Sequence, residues 1–177
     1  RVHQSVERFS LFRAEQSIER ADVVVLVLDA EQGPTEQDKK IAATIIENHK
    51  GCLLLVNKWD LAGKMSQQRY RDALLKELFF MSYVPVVFAS AKSGFNIRKS
   101  VEAIDYVSTQ VSATLPTGVL NRVLRDAFQK VQPPMVKGHR LKLYYATQVG
   151  TKPVRLRLFV NDPHRVADAY EIFLLSN

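Results

Sequence analysis

The sequence predicts a partial doubly wound parallel α/β sheet over residues 1–113, followed by a small α+β domain over residues 114–177. Two observations carry this. Up to about residue 110, short runs that are apolar on every side alternate with helical patterns, the signature of repeated βαβ units. Beyond that point, after one more helical pattern, come two segments in which apolar and polar residues alternate, as in strands with one buried and one wet face.

Leu11, Ala14, Ile18 and Ala21 recur at helical spacing, so residues 5–21 read as an amphipathic helix. Val23 to Leu28 is rich in β-branched residues and apolar on every side, a strand covered on both faces. Gly33-Pro34 breaks the chain, and Pro34 is placed to open a helix containing Ile41 and Ile45. Cys52 to Val56 is a second buried strand. Ser66 is placed to cap a helix reaching about Phe80, and Val86 to Phe88 is a third strand. Asn96 is expected to cap a helix whose inner face is Ile97, Val101, Ile104 and Val111. A parallel sheet of three strands leaves an apolar edge open to water. Residues 1–110 therefore read as the second half of a larger domain, with Arg1 not its true beginning.

In the second part, Thr117 is expected to cap a helix bearing Leu120, Val123, Leu124, Ala127, Phe128 and Val131, stopped by Pro133-Pro134. Leu141, Leu143 and Tyr145 then alternate with Lys142 and Tyr144, and Val154, Leu156, Leu158 and Val160 with Arg155 and Arg157. These are two strands with one cationic face, joined by a turn over Gly150 to Pro153. Asp162-Pro163 opens a last helix.

Composition narrows the function. The 177 residues are 46% hydrophobic and 24% charged, as in an ordinary soluble globular protein. The single Cys52 rules out an internal disulfide and points to a reducing compartment. No apolar run approaches the ~20 residues of a membrane span, and Arg1 to Arg8 has no apolar core of a secretory signal. The expected location is the cytoplasm, with no membrane partner. The net charge of +7 is uneven: residues 1–110 carry 15 basic and 14 acidic side chains, residues 111–177 carry 10 and 4. The basic third is the part suited to a polyanion such as RNA, or merely to solvating a small domain.

The chemistry lies at strand ends. The Cys52–Val56 strand runs into Asn57-Lys58-Trp59-Asp60, and ligands of open parallel sheets bind at the carboxyl ends of strands. Asp60 can accept from both N1–H and the 2-amino group of guanine, whereas adenine presents a lone pair at that position. Sites built so discriminate by roughly 10⁴-fold. Asn57 can bond the base edge and tie loops together, and the Lys58 stem can cover the purine plane. Thirty residues after Asp60 comes Ser90-Ala91-Lys92, at the end of the next strand and so on the same rim. There the Ala91 N–H suits guanine O6 and Lys92 suits the other face of the base. The phosphate loop Gly-x-x-x-x-Gly-Lys-Ser/Thr does not occur. Gly63-Lys64-Met65 fails, because Lys58 stands where the first glycine is needed and Met65 cannot ligate magnesium. No Asp-x-x-Gly precedes the first helix either.

These residues resemble the translation-factor-related GTPases and, more narrowly, the Der (EngA) family of double-GTPase ribosome assembly factors. The likeness is carried by Val6 to Gln16 continuing through Ile18 to Asp22, by Val56-Asn57-Lys58-Trp59-Asp60-Leu61, by Gly138 to Gln148, and by Phe159-Val160-Asn161-Asp162-Pro163. The resemblance implies a P-loop GTPase type of fold lacking its phosphate-binding half, then a KH-like domain that ends before its last strand. It implies guanine contacts from Asn57, Lys58, Asp60, Ser90, Ala91 and Lys92. In the intact protein it implies GTP or GDP and Mg²⁺, with no magnesium ligands in this chain, and the large ribosomal subunit or its rRNA as partner. The expectation is a fragment of a GTPase, itself unable to hydrolyse GTP, with no catalytic residue carried over. A non-catalytic RNA or ribosome interaction module with a vestigial nucleotide pocket is the alternative. A circularly permuted GTPase fits less well, because an α+β domain follows Lys92. KH modules usually clamp RNA with Gly-x-x-Gly, but Gly150 is followed by Thr151, Lys152 and Pro153. Lys142, Arg155 and Arg157 are thus candidates for RNA phosphates or for contact with another GTPase domain.

Other residues read plainly. His3, His49, His139 and His164 have no metal spacing, and Cys52 is a small core hydrophobe. Phe9 and Phe12 are expected in the core or at a domain contact, and Trp59 near the pocket rim rather than on the base.

Overall fold

The structure is a computed structural model describing residues 12–175, which form two compact units dividing after Val111. In the first unit, helix α1 covers residues 12–20. The expected helix over 5–11 and Phe9 lie outside the described residues, and Phe12 is exposed rather than packed. Strands β1 (Val23–Asp29), β2 (Gly51–Asn57) and β3 (Val86–Phe88) form a parallel sheet in the order β1-β2-β3. The central strand is the best covered: the successive residues Cys52, Leu53 and Leu54 are all buried, as is Val56. Successive side chains point to opposite faces, so both faces of β2 are covered. Each buried aliphatic contributes about 1.5–3 kcal/mol, which makes β2 a stiff support for whatever follows Asn57. Cys52 is part of this core, and burial pushes its thiol up to about 12.

Helix α2 (Glu36–Glu47) is opened by Thr35, not by Pro34. Thr35 Oγ1 accepts from the Asp38 N–H at 3.2 Å while Asp38 Oδ2 accepts from the Thr35 N–H at 2.8 Å. Only the threonine has a side-chain oxygen to offer, and such a reciprocal cap is worth about 1 kcal/mol. Ser66 does cap helix α3 (Gln67–Glu77), which ends before Phe80 and gives way to a 3₁₀ turn at Phe79–Met81. Helix α4 (Ile97–Ser112) departs further from expectation. Asn96 is left-handed, with φ of 55°, and its Nδ2 donates to the Phe88 carbonyl at 2.9 Å instead of capping the helix. Ile97 and Val101 are exposed, and Val107 is the buried apolar residue of the helix. The foot of α4 stands on the start of β2. A Cβ added to Gly51 would lie 2.6 Å from Val111 Cγ1 and 3.1 Å from Val107 Cγ1.

The second unit begins with helix α5 (Thr117–Lys130), preceded by Pro116 at the cap rather than Thr117. Leu120 and Leu124 of α5 cluster with Ala146 of strand β6 (Leu143–Gly150), joined by half-buried Leu143, Leu158 and Leu174. Strand β7 (Arg155–Val160) pairs antiparallel with β6. A bulge lies between Leu143, opposite Val160, and Tyr145, opposite Phe159. The extra residue turns Tyr145 outward and Ala146 inward, so Tyr145 is exposed, in ring contact with Phe159 at 5.9 Å, where simple alternation places it inside. A short hairpin, β4 (Met135–Val136) with β5 (His139–Arg140), turns through Lys137 and Gly138, both at positive φ. The expected last helix is split in two. Asp162 caps the 3₁₀ turn Pro163–Arg165, and helix α6 (Asp168–Leu175) follows. Its Tyr170 is buried, and the hydroxyl donates to the Val131 carbonyl at 2.8 Å.

Candidate functional site

The rim at the carboxyl ends of the three strands is laced together by backbone. The Ala30 N–H donates to the Asn57 carbonyl at 2.9 Å, the Ala89 N–H to the Val56 carbonyl at 2.9 Å, and the Trp59 N–H to the Ala89 carbonyl at 3.1 Å. Lys58 is left-handed, with φ of 58°, so the chain curls at once into the 3₁₀ turn Trp59–Leu61 that carries Asp60. A non-glycine residue held there costs roughly 1–2 kcal/mol, and the lacing on both sides supplies the restraint.

Side chains complete the lacing. Asn57 Oδ1 accepts from the Ala91 N–H at 3.0 Å, joining the loop after β2 to the loop after β3. This is the loop-tying role read from the sequence. It also means that guanine O6 would share the Ala91 N–H with Asn57. Lys58 Nζ is 2.6 Å from Asp29 Oδ2 at the end of β1, where Asp29 is the register partner of Asn57. The Lys58 ammonium, then the Glu31 N–H bonded to Oδ1 at 2.9 Å, hold the Asp29 carboxyl below its usual range. Asp29 in turn raises Lys58.

Ser90 is fully buried and shapes its loop. Its Oγ accepts from the Ser93 N–H at 3.2 Å, its carbonyl from the Gly94 N–H at 2.9 Å, and its N–H donates to the Phe95 carbonyl at 3.0 Å. Asp60 and Lys92 are exposed on the two loops. The Trp59 ring packs on Phe88 at 4.5 Å and edge-on to Tyr70 at 5.4 Å, a wedge into the core rather than a lid for a base. A direct bond thus joins Asn57 to Ala91, while the Lys58 side chain is bound to Asp29 instead. Sequence reasoning missed Asp29 and misassigned Asn96. For Asp29 the signal was an acidic residue closing the strand beside β2.

In the second unit, Arg155 and Arg157 stand two residues apart on β7, opposite Gly150 and Thr147. Lys142 lies at the far end of the ribbon, where its carbonyl accepts from the Asn161 N–H at 3.1 Å. At ~3.3 Å per residue, Lys142 is about 20 Å from Arg155 along the ribbon, so the two arginines form a pair without it. Among the described residues no group of three His, Cys, Asp or Glu side chains is placed to hold a metal ion. No described helix is long and apolar enough to cross a membrane.

Residues 11–110, which carry this strand-end rim, match the family model of the elongation factor Tu GTP binding domain. Residues 114–177 match the KH-domain-like C-terminal domain of EngA bacterial GTPase enzymes. The chain belongs to the Der (EngA) family of GTPases. It is 46% identical over 176 residues to GTPase Der of Caldanaerobacter subterraneus subsp. tengcongensis and 43% identical to GTPase Der of Desulforudis audaxviator. These alignments take in 98% of this chain but 40% of each relative, so the chain spans well under half their length. Among solved structures, a probable GTP-binding protein engB superposes with a TM-score of 0.49 and 21% identity, over 62% of this chain and 67% of that one.

Proposed function

We propose that this chain supplies the base-reading half of a guanine-nucleotide site, in a protein that hydrolyses GTP and acts in maturation of the large ribosomal subunit. The observation that carries the reading is the Asn57 Oδ1 to Ala91 N–H bond at 3.0 Å. It sets the loop bearing Asp60 and the loop bearing Lys92 at a fixed separation, as two walls of one base pocket require. Asp60 reads N1–H and the 2-amino group, Asn57 the base edge, Ala91 the O6 atom, and Lys58 and Lys92 the two faces, with Ser90 shaping the loop beneath. The domain assignment follows: residues 1–113 are the later half of the GTPase domain, and 114–177 the KH-like domain. The sequence has no Gly-x-x-x-x-Gly-Lys-Ser/Thr. Helix-end and loop amides supply much of the grip on phosphate, so this chain holds GDP weakly and does not turn GTP over. The ribosomal role rests on family resemblance and on the basic second unit.

Titration of the ¹⁵N-labelled chain with GDP and with ADP tests the reading. The expected result is a weak GDP-dependent shift of the Ala91 and Lys92 amides, abolished by Asp60→Ala and not reproduced by ADP. Equal response to the two nucleotides would sink it. Submicromolar GDP affinity that Asp60→Ala abolishes would keep the guanine site but overturn the claim that this chain grips GDP weakly.

The Arg155–Arg157 pair favours a second reading alongside the first, contact with rRNA or with another GTPase domain of the same protein. Lys142 would extend such a contact to the far end of the ribbon.

A further inference from the structure

The base-reading lysine has a partner that no motif names. Lys58 is fixed at both ends: its backbone is held left-handed at φ of 58°, and its ammonium sits 2.6 Å from Asp29 Oδ2. An exposed ion pair between two mobile side chains contributes little, because ordering both cancels most of the attraction. Here one partner is already ordered. The Asp29 side chain is 20% exposed, its Oδ1 accepts from the Glu31 N–H at 2.9 Å, and its carbonyl accepts from the Gly33 N–H at 2.9 Å. The parallel register that pairs Asp29 with Asn57 puts that anchor one strand away from the motif. The Lys58 stem is thereby stretched between two fixed points before any base arrives, which lowers the ordering cost of closing a wall over a purine.

We propose that Asp29 is a positioning residue of the guanine site, acting through Lys58 and touching no part of the nucleotide. The proposal rests on the guanine reading above. It assigns β1, through its last residue, a share in base recognition.

The test is a double-mutant cycle on the ¹⁵N-labelled chain, read as the dissociation constant for GDP. Asp29→Asn keeps an oxygen for the Glu31 N–H and removes the charge, so the fold is retained, and amide dispersion verifies it. Asp29→Ala is the second variant. The expected result is about a tenfold loss of GDP affinity for Asp29→Asn, equivalent to ~1.4 kcal/mol. In a Lys58→Met background the same change should cost less than twofold, because the group through which Asp29 acts is gone. A purely structural role for Asp29 would give the same loss in both backgrounds and overturn the proposal. GDP binding that depends on Asp60 but is unmoved by Asp29→Asn and Asp29→Ala overturns it alone. GDP binding indifferent to Asp60→Ala, or no GDP-dependent shift at all, overturns the guanine reading and this proposal together.

Discussion

Asn121 and Ala146 bind each other twice. Asn121 Nδ2 donates to the Ala146 carbonyl at 2.7 Å, and Asn121 Oδ1 accepts from the Ala146 N–H at 2.8 Å, with both residues buried. The amide also donates to the Thr117 carbonyl at 2.8 Å. A buried asparagine on an otherwise apolar helix face is costly unless satisfied. Here it replaces the strand neighbour that Ala146 would otherwise need on that side, and fixes α5 to β6 in one register.

Asn121→Ala is therefore expected to destabilise the second unit by about 2–4 kcal/mol, because two buried backbone groups lose their partners. Urea unfolding followed by exchange of the Ala146 amide proton measures this. Unchanged protection of Ala146 would contradict it.

At the base site, Asp60→Asn should exchange one purine preference for another. Guanine offers N1–H and a 2-amino group to a carboxylate, while xanthine has an oxo group at position 2 that an amide N–H can meet. The expected outcome is loss of at least about tenfold in GDP response, with a gain for XDP. Competition between the two diphosphates in a single amide-shift titration decides the matter. A variant that still prefers GDP would show that Asp60 does not read the base.

The Asp29–Lys58 pair sets a pH window. Asp29 is depressed below its ordinary 3.8, so its contribution is present above that value and is lost as pH falls through the lower, folded one. Lys58 is raised above its ordinary 10.5, so its contribution is present below that value and is lost as pH rises past the higher one. Between about pH 5 and 9 the pair should contribute no pH dependence. Titrating the Asp29 carboxyl carbon by NMR should give a midpoint below 3.8 that moves upward in Lys58→Met. A midpoint indifferent to Lys58 would mean that the ion pair does not form in solution.

For the second unit, Arg155→Ala with Arg157→Ala should lower retention on immobilised rRNA and flatten its salt dependence by roughly two phosphate contacts. Lys142→Ala, some distance along the ribbon, should add its effect independently. Retention unchanged by the double substitution would favour contact with a GTPase domain over RNA.

Much of this was legible in the sequence. The three parallel strands follow from short apolar runs, and the rim follows from motifs one βα unit apart. What was not legible depends on register or on backbone hand. Asp29 gains its meaning only when β1 pairs with β2 so that it meets Asn57, and periodicity within either strand carries no such information. Asn96 precedes a helix and has a capping side chain, yet its amide is used against Phe88 eight residues earlier. Tyr145 reads as buried until the bulge shifts the alternation by one. The Met135–Arg140 hairpin is too short for a pattern, and its one cue was the Lys137-Gly138 turn.

Gly51 has a reach that its small size conceals. Helix α4 is 16 residues, about 24 Å of stiff rod. Its foot rests where Gly51 has no Cβ, and at its head Asn96 grips the Phe88 carbonyl and begins the return from the Ser90–Lys92 loop. Any side chain at 51 must push Val111 aside. The atom missing at residue 51 thus lets one helix bridge the start of β2 and the end of β3.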